Sequence, residues 1–231
     1  MIAPPKTSPD AARRRLSRRW RLLAGSMSLA LLGGLLLPVA DLPVARWCKT
    51  ADLPSEVRRL INMAEVFGFG LSAAVVLLCT LVLDRSWWRR GGSDGEATAD
   101  PRWDFARLVL ATFAGGLVVN CIKLCVVRIR PRATDLASIA SAWDTFSAAC
   151  LVEPSGSRSD LMGFPSGHAA TAAGLAAALS WRYPHGAALF GCLACAAAAQ
   201  RVTSLAHYPS DVAFGAALGL LGAALVLPRD S

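Results

Sequence analysis

The chain has 231 residues, enough for one sizeable domain; 54% are hydrophobic, 17% are charged and the mean hydropathy is +0.44. A soluble domain carries about a quarter charged residues, so this composition excludes an ordinary soluble globular protein and points to the membrane. The formal net charge of +8 does not indicate nucleic acid, because many cations are gathered before the first apolar run with few aromatics beside them.

Lys6, Arg13, Arg14, Arg15, Arg18, Arg19 and Arg21 mark residues 1–21 as a basic cytoplasmic tail that also suits anionic lipid headgroups. Six apolar segments follow, at 22–40, 61–83, 105–127, 168–181, 186–202 and 212–227. Each approaches the roughly 20 residues that a transmembrane helix needs. The first has some character of a signal peptide, ending in Pro38-Val39-Ala40. Its n-region is long and proline suits a cleavage site badly, so a retained helix is expected. Glu65, one turn inside the second segment, either pairs with an active-site cation, lines a lipid entry path or reaches water. The next connection carries Arg85, Arg89, Arg90 and Arg102 around a flexible Gly91-Gly92-Ser93-Asp94-Gly95 run and is cytoplasmic by the positive-inside rule.

The last three segments are short and alanine-rich. With Gly115, Gly116, Gly215 and Gly219 they predict the tight centre of a bundle, since small residues let helix backbones approach. Residues 131–165, with Asp135, Trp143, Asp144, Cys150, Glu153 and Asp160, form a long outward loop, either a lid or covering structure, with a short helix near 136–146. His185 is a cytoplasmic loop residue without chemistry. The domain organisation expected is the tail, one six-helix unit over 22–228, and a short end at 229–231.

The seven cysteines form no metal spacing with histidine. Cys79, Cys121, Cys125, Cys192 and Cys195 act as small hydrophobes. Cys48 and Cys150 share the outer side, where a disulfide is permitted if that side is oxidising. No carboxylate cluster suggests a two-metal site, and no metal or cofactor is expected.

Three polar clusters interrupt the apolar sequence. Lys123 and Arg130 are seven apart, two helical turns, on one face of a helix that ends about Pro131. Ser166 is a natural N-cap before an alanine-rich helix, Gly167 allows close backbone approach, and the free N–H groups of such a start bind anions. His168 stands there as an acid or base. In the third cluster Arg201 offers a bidentate partner for phosphate oxygens. His207 and Asp211 are four apart, and Asp211 can accept from one ring nitrogen, leaving the other free to attack. Alternation of the six segments puts all three clusters on the outward side. Each has a bland alternative in isolation: snorkelling cations, an ordinary capped helix, a surface His–Asp pair.

In order, K-x6-R-P, P-S-G-H and R-x5-H-x3-D resemble the type 2 phosphatidic acid phosphatase family of membrane lipid phosphatases. The family usually has serine before the third-motif arginine; here Gln200 stands there and can still donate a hydrogen bond. The resemblance, with the span pattern, implies an all-α, polytopic membrane protein. It is a six-transmembrane-helix bundle with its active site at the extracytoplasmic face of a bacterial inner membrane and its termini cytoplasmic. It implies metal-independent hydrolysis of a lipid phosphate or diphosphate. His207 is then the nucleophile, Asp211 its orienting partner and His168 the acid. Lys123, Arg130, Ser166, Gly167 and Arg201 bind phosphate. Undecaprenyl diphosphate, phosphatidylglycerophosphate, phosphatidic acid and lipid A phosphates are the candidate substrates. A lipid phosphotransferase with the same site and a non-catalytic binder of anionic lipids are the alternatives. Six apolar spans argue against the soluble vanadium-dependent haloperoxidases, which share similar motifs.

Overall fold

The computed structural model describes residues 9–51, 54–87, 101–146 and 157–227. Among these residues the fold is all-helical, the one β-type contact being an isolated bridge between Arg128 and Met162. The helices are α1 (Pro9–Val39), α2 (Asp41–Thr50), α3 (Ser55–Met63), α4 (Glu65–Gly68), α5 (Gly70–Leu83), α6 (Pro101–Cys125), α7 (Gly167–Arg182), α8 (Ala187–Thr203) and α9 (Pro209–Val226).

Among the described residues four stretches are long and apolar enough to cross a membrane: Trp20–Val39, Trp103–Cys125, Pro184–Thr203 and Pro209–Val226. Ser55–Gly68 and Gly70–Leu83 make a fifth only if taken together, and they meet at a 68° bend. The bend falls at Phe69, whose backbone is extended and which is flanked by two glycines, the poorest helix formers after proline. Among the described residues the count is thus four, or five with the bent pair, against the six expected. The second is broken, and the fourth corresponds to α7, whose 16 residues reach only about 24 Å. Helix α7 is the buried axis of the bundle, packed by α6, α8 and α9. Leucines such as Leu35, Leu71, Leu78, Leu117 and Leu225 stay exposed around it, as an outer surface facing hydrocarbon requires.

Small residues set the spacing at this centre, as the glycine pattern predicts. A Cβ on Gly115 would lie 2.6 Å from the Cα of Gly219, and one on Gly174 would lie 2.7 Å from the carbonyl oxygen of Ala111. Helix α1 lies along α9, and Ser26 donates to the Ala217 carbonyl at 2.8 Å. At one end of the bundle Arg182 pairs with Asp84 and lies over the Trp87 ring at 4.7 Å. At the other end α2 and residues 131–146 form a cap. Leu37, Leu42, Ala45, Leu136, Ile139, Ala142 and Tyr208 share one core there, and Arg46 donates to the carbonyls of Leu136 at 2.9 Å and Ile139 at 2.8 Å.

Residues 131–146 are thus packed covering structure, and the short helix expected near 136–146 is a 3-10 turn at Ala142–Phe146. Residues 147–156 lie outside the described residues, and with them Cys150 of the expected disulfide, Glu153, and the lid expectation for that stretch. The glycine-rich run of 91–95 also lies outside them. Between α1, α7, α8 and α9 an apolar cavity of about 860 Å³ is lined by residues including Leu29, Leu36, Ala173, Ala198 and Val212.

Candidate active site

All three sequence clusters come to the capped end, because α6, α7, α8 and α9 alternate in direction and each contributes the terminus that faces it. Helix α6 stops at Cys125, five residues short of Arg130, so Lys123 and Arg130 do not share a helix face. Two β-branched residues, Val126 and Val127, follow it, and Arg130 precedes proline, which disfavours helix. The chain runs extended instead. The amides of Arg128, Ile129 and Arg130 donate to the carbonyls of Leu161 at 3.0 Å, Thr145 at 2.9 Å and Asp160 at 2.8 Å. Lys123 stays in the last turn of α6, and Arg130 reaches the same end from this segment. Burial and the neighbouring Arg132 hold the Arg130 guanidinium below its ordinary value, and its Nε is buried with no hydrogen-bond partner among the described residues.

Ser166 is the N-cap of α7, its hydroxyl accepting from the Ala169 amide at 3.3 Å. Its own amide donates to the Asp211 carbonyl at 2.9 Å, which joins the start of α7 to the start of α9. No side chain fits between them: a Cβ on Gly215 would stand 2.2 Å from the Ser166 carbonyl oxygen. The Gly167 and His168 amides are among the first of α7 and have no acceptor within the helix.

The turn after α8 folds back on itself. The amides of Ala206 and His207 both donate to the Arg201 carbonyl, at 3.2 and 3.1 Å, and Leu205 takes a left-handed φ of 55°. This costs a non-glycine residue about 1–2 kcal/mol. Pro209 opens α9, as its rigid φ favours, and Tyr208 caps the helix with Asp211, whose Oδ2 accepts from the Tyr208 amide at 2.7 Å.

His207 is buried, and its Nδ1 lies 2.7 Å from the Gly163 carbonyl oxygen but 3.8 Å from Asp211 Oδ2. The hydrogen bond expected to Asp211 thus goes to a backbone carbonyl, because both Asp211 oxygens are already engaged, Oδ1 by Arg128 and Oδ2 by the Tyr208 amide. A carbonyl can only accept, so Nδ1 carries the proton and Nε2 is left with its lone pair. Burial pushes the His207 pKa below its ordinary value, with the Asp211 carboxylate pulling the other way.

Of the expected readings of Glu65, the structure shows the ion pair. Its Oε1 lies 2.8 Å from Arg201 and 3.6 Å from His168 Nε2. Gln200, the departure from the family pattern, accepts from Arg201 Nε and donates to Glu65 Oε2 at 3.3 Å. It therefore braces the arginine from the side. Among the described residues no group of three or more His, Cys, Asp or Glu side chains could hold a metal ion.

Three participants escaped the reading of the sequence. Arg128 is fully buried between Asp41 and Asp211, and the Gly163 carbonyl holds the His207 tautomer. The signal for Arg128 was a cation set among Val126, Val127 and Ile129; Asp41 and Gly163 carried no local signal at all.

A family profile described as the PAP2 superfamily matches residues 104–229, more than half of the chain. The crystal structure of the first transmembrane PAP2-type phosphatidylglycerolphosphate phosphatase from Bacillus subtilis is similar with a TM-score of 0.60. The alignment has 18% identity and covers 90% of this chain and 94% of that one. No match was found among curated proteins. The matched region holds all three polar clusters and the helices that carry them, and the apolar helices are those of an integral membrane protein. The chain belongs to the PAP2 superfamily and is a membrane-embedded phosphatase.

Proposed function

We propose that this protein removes phosphate from a lipid phosphate or diphosphate through a phosphohistidine on His207. The observation that carries the reading is the 2.9 Å bond from the Ser166 amide to the Asp211 carbonyl, which joins an anion-binding helix start to the histidine–aspartate unit. His207 Nε2 attacks phosphorus, and the bond from phosphorus to the ester or anhydride oxygen breaks. His168 gives its proton to that leaving oxygen and then takes one from the water that attacks the phosphohistidine. Inorganic phosphate leaves and His207 returns to its neutral form.

Charge on the transferring phosphoryl group is met by Lys123, Arg130, Arg201 and the first amides of α7, which needs no metal ion. The buried, unpartnered Arg130 Nε and His168 Nε2 support this assignment, since such atoms are costly unless a ligand satisfies them. Glu65 Oε1, 3.6 Å from His168 Nε2, faces the ring nitrogen from which the leaving oxygen would take its proton. The apolar cavity, whose lining includes Ala169 and Pro209 next to the site, suits hydrocarbon and favours a lipid over a soluble phosphate ester. The arginine-rich first turns of α1 are at the opposite end of that helix from Leu37, which packs in the cap beside the site, and by the positive-inside rule the site opens to the extracytoplasmic side.

The test is release of inorganic phosphate from a panel of lipid phosphates in detergent with EDTA present, comparing wild type with His207→Ala. Activity in EDTA and a loss of about a millionfold, as when a nucleophile is removed from a catalytic unit, are expected. Full activity of His207→Ala removes the assigned nucleophile, inactivity in EDTA removes the metal-free step, and transfer to an acceptor without phosphate release turns the reading into a phosphotransferase.

A further inference from the structure

Behind Asp211, away from the phosphate-binding groups, lies a buried ionic cluster that the proposed chemistry does not use. Arg128 has a fully buried side chain. Its Nη1 donates to Asp211 Oδ1 and, at 2.8 Å, to Ser210 Oγ. Its Nη2 donates to Asp41 Oδ2 at 2.6 Å and its Nε to Thr145 Oγ1 at 3.0 Å. The guanidinium is clamped between the rings of Phe146 at 4.5 Å and Tyr208 at 4.3 Å. Asp41, at the start of α2, also accepts from the Ser210 amide at 2.9 Å and from the Ser210 hydroxyl.

Burying one cation and two carboxylates is expensive, and apolar residues of equal volume often stabilise as well or better. Stability alone is thus a poor reason for this arrangement. Its geometry serves another end: each nitrogen of the Arg128 fork is engaged, so the plane of the Asp211 carboxylate is set. The other Asp211 oxygen faces the His207 ring. One cation against two carboxylates leaves the cluster one unit negative, adjacent to a ring that becomes positive when it is phosphorylated.

We propose that Arg128, held by Asp41, is a positioning residue for the nucleophile: it orients Asp211 and sets how much negative charge His207 meets. This rests on His207 being the nucleophile. The guanidinium contacts no group assigned to phosphate and acts through Asp211. The K-x6-R-P segment then has two duties, with Arg130 presented to the phosphoryl group and Arg128 bracing the histidine from behind.

The charged and titratable groups around His207 are Asp211 on α9, Lys123 on α6, Arg130 on the extended segment, His168 on α7 and Arg201 on α8. The two sides of the cluster must therefore move the acid limb of the kcat/KM profile in opposite directions. Arg128→Gln leaves both carboxylates uncompensated and raises the pH of that limb; Asp41→Asn removes one negative charge and lowers it. A loss in kcat of about 10- to 100-fold with KM nearly unchanged is expected for Arg128→Gln, the range over which outer-shell partners act.

The experiment is the pH profile of phosphate release by Arg128→Gln, Arg128→Lys and Asp41→Asn in full-length protein, with His207→Ala as reference. Opposite shifts, and partial recovery of kcat by Arg128→Lys, support the proposal. Unshifted limbs, shifts in the same direction, or an effect confined to KM overturn it. Should Arg128→Gln fail to fold, the direction of the Asp41→Asn shift decides alone. Full activity of His207→Ala instead removes the phosphohistidine reading itself, so the two failures are distinguishable.

Discussion

Glu65 on α4 and Arg201 on α8 form an ion pair at 2.8 Å, with the same carboxylate oxygen 3.6 Å from His168. A carboxylate in this position both opposes an incoming phosphate on Arg201 and faces the His168 nitrogen that hands over the proton. Glu65→Gln should therefore separate the two roles. KM is expected to fall about threefold, the scale of a part-exposed ion pair. The kcat value is expected to fall about tenfold, a fraction of what a general acid contributes. Steady-state kinetics on one lipid phosphate checks both, and unchanged constants would leave Glu65 with no part in the reaction.

Burial holds His207 below its ordinary pKa of 6.5. The attacking form is neutral, so it is lost as pH falls through the lowered value. The acid limb of kcat/KM is expected below pH 6.5. Asp211→Asn removes the one neighbour that raises this pKa, so the limb should move lower still while kcat drops. A limb above pH 6.5 in the wild type would contradict the desolvated environment of the ring.

The contact between Gly215 and the Ser166 carbonyl leaves no room for a methyl group, the Cβ position being 2.2 Å from the oxygen. Gly215→Ala is expected to cost about 1–3 kcal/mol, as overpacking of a core does, and to lower kcat by shifting the start of α7 against α9. Gly34 and Gly191 also lie in helices but have nothing within 4 Å of a built Cβ. Gly34→Ala and Gly191→Ala should be neutral or stabilising by up to about 1 kcal/mol. Thermal unfolding in detergent ranks the three variants.

Much of this site was legible in the chain because its signals are local. Ser166 as an N-cap, Pro209 opening α9 and the small residues at the helix crossings each depend on a few neighbouring side chains, and the structure has all of them where expected. The errors arose where a local rule met a distant partner. The hydrophobic run of 105–127 looked like one helix up to Pro131, yet α6 yields at Cys125 because the following amides find the carbonyls of Thr145, Asp160 and Leu161. The run of 61–83 looked continuous, but Gly68 packs so closely on the His168 backbone, 2.9 Å from a built Cβ, that the chain bends beside it.

By itself the sequence determined a membrane protein, a helical one, and the residues expected to meet phosphate, since hydropathy, caps and motif spacing are properties of short stretches. Only the tertiary structure decided how those residues are held. Asp41 reaches Arg128 across 87 positions, Glu65 finds Arg201 and His168 from another helix, and the Gly163 carbonyl accepts the His207 hydrogen bond that Asp211 was expected to accept. The physical reason is that a buried polar group takes whichever partner the packing brings within about 3 Å, and packing is a property of the whole chain.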